Sequence, residues 1–514
     1  MGVIARQSIK GAMANYLGVA IGFVTTFFVL TRMLTTEEVG LTRVLVDAAV
    51  LFSAIAQLGT NASIVRFFPW FKEGRDHHGF FGLALLLPLA GFALVGLVLL
   101  AFRGQLVEVY SVNSPLLTDY FGLLPMLIFF SLYLTVFETC ASVLMRITVP
   151  KMVREVGIRV FTLAAYLLYG YRVISLDAFV WLFCGSYGLA MLLNLFYLLR
   201  IEHFRPSIFR IDWRQLRSTG LVRDMLRYTL FMTATVLAGN VPLLGSLFLG
   251  AKAGLALTGV YTIAFFIANV VEVPYRSLGA ISRPVIAAAV KEGDWQEVNR
   301  LGRQVSLHQL MVSLTIFYII WINLDTLFTL IPNGEDYRGG AGVVLILGLA
   351  KVLNSSLSIG TDVLNYSRHY AYGLLFIGAL TVSALVLNDR LIGPMSINGA
   401  AMATLLSYAI YFTMLLAFLW RRLGVSLFSA AQLKTLAVMA AAFALDWAWR
   451  TWLTPLIATG GTVPMLVDAA LKTAVLASAA SAAMLAWKVS PTVNDIVVRI
   501  LHRDKNIEKS NRGR

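Results

Sequence analysis

The chain has 514 residues, 58% of them hydrophobic and 13% charged, with a mean hydropathy of +0.77. Soluble domains carry roughly 25% charged residues, so a soluble globular protein is excluded and an integral membrane protein with many spans is expected. The net charge of +15 does not indicate nucleic acid as a partner, because the basic residues recur in short clusters between apolar runs and form no single patch.

Fourteen apolar stretches have about the length a helix needs to cross the hydrocarbon core. In chain order they cover 11–33, 42–65, 80–102, 117–142, 157–175, 178–199, 228–249, 255–277, 305–330, 340–362, 371–388, 396–419, 433–453 and 464–487. The runs are too long for barrel strands, and backbone groups in lipid must be satisfied internally, so an all-α integral membrane fold is predicted. The first apolar run is long enough to span and has no short core followed by a cleavage site, so it is expected to stay. Cys140 and Cys184 both sit in apolar runs and imply neither a disulfide framework nor a metal site. No cofactor is expected.

Charge orients these spans. The even-numbered connections and the two ends hold 32 of the 42 lysines and arginines; the odd-numbered connections hold Arg32, Arg43, Arg103, Arg172, Lys252, Arg338, Arg390 and Arg450. By the positive-inside rule both termini are expected to be cytoplasmic. The longest basic connection, 201–227, has the pattern of an amphipathic segment lying at the headgroup level.

An internal repeat divides the chain. The interval from Gly40 to the Gly of Lys72-Glu-Gly74 recurs from Gly259 to the Gly of Lys291-Glu-Gly293. This predicts an N-terminal six-helix lobe at 1–200, a linker at 201–227 and a C-terminal six-helix lobe at 228–422. Six spans per lobe give the copies the same orientation. The additional helix pair at 433–488 is without a counterpart, and a basic cytoplasmic tail follows at 489–514.

Ionisable residues inside spans are costly and mark functional candidates. Arg43 and Asp47 lie four apart on the second span, and Glu272 and Arg276 four apart on the eighth, so each pair shares a helix face. Local neutralisation between packed helices is the alternative to a functional role for both pairs. Glu138 lies on the fourth span, where an interhelical hydrogen bond is the simpler role. Lys351, near the middle of the tenth span, has no acid within a turn on its own helix and is too deep to snorkel. Asn15, Gln57, Asn61, Asn240 and Asn269 are expected to join helices. Pro88, Pro125, Pro242 and Pro274 are expected to kink their spans. No nucleotide-binding loop, His-rich cluster or large extramembrane region is present in the sequence, and no enzyme activity is expected.

The opening stretch carries a resemblance. Leu30-Thr-Arg-Met-Leu-Thr-Thr-Glu-Glu-Val-Gly-Leu41, Ala56-Gln-Leu-Gly59 and Ile64-Val-Arg-Phe-Phe-Pro69 resemble the start of the bacterial polysaccharide (O-antigen type) flippases. These belong to the multidrug/oligosaccharidyl-lipid/polysaccharide exporter superfamily. The resemblance implies two six-helix lobes facing each other in a V, with two extra C-terminal helices. It also implies movement of undecaprenyl-pyrophosphate-linked oligosaccharide across the cytoplasmic membrane. Basic residues in the spans would hold the pyrophosphate, with Lys351, Arg43 and Arg276 the candidates. Asp47, Glu138 and Glu272 would couple transport to H+ or Na+, or pair with those bases. The partners implied are the lipid-linked oligosaccharide, membrane lipid, and a polysaccharide polymerase with other assembly proteins. A cation-coupled multidrug exporter of the same superfamily is the alternative, favoured by Asp47 with Glu138. A membrane-embedded enzyme of lipid-linked sugars is a more distant one, because the outer connections are short.

Overall fold

The computed structural model describes residues 17–71, 80–201, 204, 223–225, 228–229, 232–233, 240–458, 461–491 and 494–495. Asn15, the His77-His78 pair, most of the expected linker and nearly all of the basic tail lie outside the described residues. Within them the secondary structure is helical throughout, as the apolar runs require. Nine described helices are long and apolar enough to cross a membrane, and Leu17–Met33 is a shorter apolar one.

The chain forms two compact units. The first comprises residues 1–263, 331–340 and 377–404, and the second 264–330, 341–376 and 405–514. Unit 1 begins with α1 (Leu17–Met33) and α2 (Thr36–Ala56). The start of α2 is set by Thr35-Thr-Glu-Glu38, a capping box. The Thr35 hydroxyl accepts from the Glu38 amide at 3.3 Å, and the Glu38 carboxylate accepts from the Thr35 amide at 2.8 Å. The second Glu38 oxygen accepts a hydrogen bond from the Tyr169 hydroxyl.

The second predicted span is not one helix. Leu58 and Gly59 take left-handed φ values of 49° and 68°, and a new helix, α3 (Thr60–Phe67), starts there. Then come α4 (Phe80–Ala101), α5 (Arg103–Ser111), α6 (Leu124–Val143), α7 (Ile158–Gly170) and α8 (Leu176–Leu199). Leu41, Leu45, Leu127, Ile128 and Phe179 fill the packed interior, each at most 1% exposed. The outward side of α4 keeps Leu94, Leu97 and Leu100 more than half exposed, a surface suited to lipid. Helix α9 (Leu244–Lys252) and the first part of α10 (Leu255–Asn269) complete this run of unit 1.

The two glycines that open the expected repeat make matching close contacts inside unit 1. A Cβ on Gly40 would lie 1.9 Å from the Leu255 carbonyl oxygen, and one on Gly259 would lie 1.9 Å from the Thr36 carbonyl oxygen. The shift in numbering that carries Gly40 onto Gly259 also carries Thr36 onto Leu255. The contact is therefore reciprocal, as in an isologous pairing of two related surfaces. Glycine is required at both positions because the backbones touch.

The odd-numbered connections in unit 1 are tied to one another. Tyr110 and Asn113 donate to the carbonyls of Leu247 (3.0 Å) and Ala251 (2.9 Å), and Ser114 to that of Gly250 (2.5 Å). Lys252 meets Asp389 at 2.6 Å, and Asn333 donates to the Thr31 carbonyl at 3.0 Å.

Unit 2 contains α11 (Val273–Glu292), α12 (Trp295–Ile322), α13 (Ala341–Tyr366), part of α14 (Tyr372–Phe418), α15 (Ala430–Trp452) and α16 (Thr462–Ala486). The region between the eighth and ninth predicted spans is helical rather than a loop. A 3-10 turn at Val270–Glu272 leads into α11, whose Pro274 sits in the first turn, where its missing N–H is harmless. Gly293 ends α11 at φ 74°, and Asp294 caps α12 by accepting from the Glu297 amide at 2.9 Å. The Lys291-Glu-Gly293 motif is thus a helix stop. Pro125 likewise occupies a first turn and Pro242 a 3-10 turn, so of the four prolines expected to kink spans only Pro88 stands in a helix interior. Helix α14 contains a sharp break at Ser396 (φ 51°, ψ −129°). There a Cβ on Gly399 would lie 2.2 Å from the Leu391 carbonyl oxygen, so the chain folds back on itself between the eleventh and twelfth predicted spans.

Candidate functional site

The ionisable groups of the spans fall into separate clusters, each inside one unit. In unit 1 the four-residue spacing on α2 brings Arg43 Nε to 2.5 Å from Asp47 Oδ2, with side chains 11% and 5% exposed. The same carboxylate oxygen accepts from Ser246 Oγ of α9 at 2.5 Å. Asp47 therefore joins two helices while balancing a buried guanidinium. Glu138 on α6 pairs with Arg154 at 2.8 Å, and both are partly open, at 24% and 44%. Its partner is a cation rather than a neutral hydrogen-bonding group.

In unit 2 the spacing argument paired Glu272 with Arg276. The structure gives Glu272 other partners: Lys351 Nζ at 3.1 Å and Asn354 Nδ2 at 2.8 Å, both from α13. The Arg276 side chain lies outside what the structure describes; its backbone is part of α11. Lys351 is buried, with 5% of its side chain exposed, and its ammonium also stands 5.3 Å from the Phe265 ring centroid. The buried hydroxyl of Ser355, on the next turn face, has no hydrogen-bond partner among the described residues. Lys351 has no acid within a turn on its own helix, and a facing segment supplies one. Sequence spacing along a single helix could not reveal that.

A second cluster in unit 2 was not among the sequence candidates. Arg283 on α11 donates from Nε to Asp362 Oδ2 at 3.1 Å and from Nη2 to the Tyr275 hydroxyl at 2.8 Å. Its side chain is 38% exposed, so part of the guanidinium is open while two contacts hold it in place. Arg283 follows the eighth apolar run, in a basic connection where charge signals orientation rather than a site.

The two unit 2 clusters form one seam. Glu272 to Lys351 and Arg283 to Asp362 have the same sequence separation, 79 residues. Arg283 is eleven residues beyond Glu272, and Asp362 eleven beyond Lys351, which is three helical turns, or about 16 Å. The segment 272–283 therefore runs parallel to α13 and in register with it, with a closed ion pair at one end and a half-open one at the other. The visible signal was the polar stripe Lys351, Asn354, Ser358 and Asp362 at helical spacing. The seam can hold anionic groups by point charge at Lys351 and by a planar fork at Arg283.

A third network in unit 2 joins the added helices to α12. Arg450 contacts Asp446 at 2.9 Å, Asp325 at 2.8 Å and the Trp321 carbonyl at 2.9 Å, and Trp449 donates to Asp468 at 2.9 Å. It satisfies helix-end carbonyls.

The model of the polysaccharide biosynthesis protein family matches residues 4–289. No curated protein matches the chain. Among solved structures, the lipid II flippase MurJ in an inward closed conformation aligns with a TM-score of 0.69 and 10% identity, covering 94% of this chain and 100% of that one. An inward-facing multidrug resistance MATE family transporter of the MOP superfamily aligns at 0.60 with 14% identity, covering 81% and 98%. A MOP superfamily transporter from Pyrococcus furiosus, described as having a binding pocket of reverse polarity, aligns at 0.54 with 15% identity, covering 82% and 95%. The fold is that of these membrane transporters.

Proposed function

This chain belongs to the polysaccharide biosynthesis protein family, and on that footing we propose that it is a flippase for lipid-linked oligosaccharide. Its substrate would be an undecaprenyl-pyrophosphate-linked repeat unit, carried from the cytoplasmic to the periplasmic leaflet of the inner membrane for surface polysaccharide. Alternating access of the two repeat-related lobes, 1–200 and 228–422, would move it.

The observation that carries this reading is the seam of unit 2. A pyrophosphate and its sugars cannot enter hydrocarbon without compensating charge and hydrogen bonds. Lys351 and Arg283 supply two cations on one line, and each is already fitted to an anion, Glu272 or Asp362. Those carboxylates stand where substrate phosphates would bind. Arg43 and Arg276 remain the further pyrophosphate candidates. Asp47, Glu138 and Glu272 are the groups through which H+ or Na+ would act, by releasing or retaining their basic partners. The multidrug-exporter reading rests on Asp47 with Glu138 in the N-terminal part, but Arg43 meets Asp47 at 2.5 Å and Arg154 meets Glu138 at 2.8 Å, which leaves no net negative charge for a cationic drug.

The test is deletion and complementation in the parent bacterium, with surface polysaccharide stained and lipid-linked sugars extracted. Loss of surface polysaccharide with accumulation of lipid-linked repeat units is the expected result, and expressed Lys351→Ala or Arg283→Ala proteins are expected not to restore it. Unchanged polysaccharide with a fall in drug tolerance would overturn the reading in favour of the exporter.

A further inference from the structure

At one end of unit 2 an open cleft of about 500 Å³ lies against the first turns of α12. Its lining includes Asn299, Arg300, Arg303, His308, Ser429 and Ser490. Ser429 directly precedes α15 and Ser490 follows α16, so the additional helix pair forms part of the wall. By the distribution of lysines and arginines this is the cytoplasmic end. The seam residues are not among its lining, and the reading above gives this cleft no role.

We propose that this cleft binds the phosphate headgroup of an anionic membrane phospholipid. Three observations carry the proposal. The first is donor capacity left over on two arginines. Arg303 donates from Nε to the Ser426 carbonyl at 3.0 Å, and no carboxylate lies within salt-bridge distance of it among the described residues. Arg300 binds Glu297 through Nε and Nη2 at 2.7 and 2.6 Å, which leaves Nη1 with only a 3.4 Å contact to Gln304. The second is the polar floor. His308 and Ser490 meet at 2.9 Å inside the cleft, and Asn299 turns its amide to the Gly424 carbonyl and the Ser426 amide at the rim. The volume falls in the range of small-molecule sites.

The third observation selects lipid over a soluble anion. Large, mostly exposed apolar side chains lie near the lining residues along the chain: Phe428 next to Ser429, Leu433 one turn further on, and Trp487 three residues before Ser490, at 57%, 70% and 54% exposure. A soluble phosphate has no use for such a border. A phospholipid places its phosphate among the arginines and its acyl chains along those side chains, and tryptophan favours this interfacial level. Anionic lipid is enriched in the cytoplasmic leaflet, and basic pockets between helices on that side are where headgroups bind. The lipid would bridge α12, α15 and α16 and so fasten the additional pair to the repeat.

The test uses the full-length protein, purified and examined by native mass spectrometry. It is titrated with phosphatidylglycerol, with phosphatidylethanolamine as the zwitterionic control, and with inorganic pyrophosphate as competitor. Phosphatidylglycerol is expected to bind more tightly than phosphatidylethanolamine. Arg300→Gln with Arg303→Gln is expected to weaken phosphatidylglycerol roughly tenfold or more and leave phosphatidylethanolamine unchanged. Arg303→Gln alone, less disruptive to folding, is expected to give part of that loss. Equal binding of the two lipids, or an unchanged phosphatidylglycerol affinity in Arg303→Gln and the double variant, would overturn the proposal. Displacement of the lipid by micromolar pyrophosphate would overturn its assignment to lipid in favour of a soluble phosphate.

Discussion

Separating Lys351 from Glu272 is expected to destabilise unit 2 far more than removing both. Their 3.1 Å separation corresponds to a gross attraction of about 5 kcal/mol at an effective dielectric constant near 20. Desolvation of two ions with side chains only 5% and 14% exposed offsets much of it, so the net value of the pair is small. Breaking it is another matter, because one charge stays behind. Lys351→Met leaves Glu272 with the Asn354 amide at 2.8 Å as a remaining donor. Glu272→Met leaves a buried ammonium against the Phe265 ring at 5.3 Å. Each single variant is expected to lose roughly 3–5 kcal/mol, with Glu272→Met the worse, and the double Met variant is expected to recover most of it. Thermal unfolding of the purified protein measures the first part, and surface polysaccharide in complemented cells measures function. A double variant that is stable but silent gives the pair a role in transport; a stable and active one makes the pair purely structural. Single variants within about 1 kcal/mol of wild type would refute the reasoning, since they would mean that water reaches both groups.

The reciprocal glycines make a second prediction. Gly40→Ala and Gly259→Ala each place a methyl 1.9 Å from a carbonyl oxygen, and each is expected to cost roughly 1–3 kcal/mol. The double variant is expected to cost less than the sum, because the first substitution already parts the two backbones; strict additivity in thermal unfolding would contradict the shared contact. Ser246→Ala removes a hydrogen bond to the buried Asp47 carboxylate, and a loss of roughly 1.5–3 kcal/mol is expected in the same assay, with no change arguing that the contact is not formed.

Much of this was present in the residues. Mean hydropathy and the length of the apolar runs fixed a helical membrane protein, because lipid leaves the backbone no other way to satisfy its polar groups. Thr35-Thr-Glu-Glu38 spelled out a helix start, and Gly40 and Gly259 stand at positions where two backbones touch. These features are local, or are repeated patterns, and a single chain displays them directly. The prolines misled, because the same ring that kinks a helix interior fits the first turn without cost, and only the hydrogen-bond register says which applies. Arg283 was hidden for a related reason: α11 continues past the apolar run, and a polar helix looks like a connection when charge is counted. Partnership across elements was beyond reach. Arg43 and Asp47 met as their spacing required, since one helix sets that distance. That Glu272 chooses Lys351, that Ser246 closes on Asp47, and that Arg283 and Asp362 repeat the first pair three turns on was decided by packing. The distance between side chains on different helices depends on crossing angle, register and the small residues between them, and no spacing in the sequence encodes those by itself.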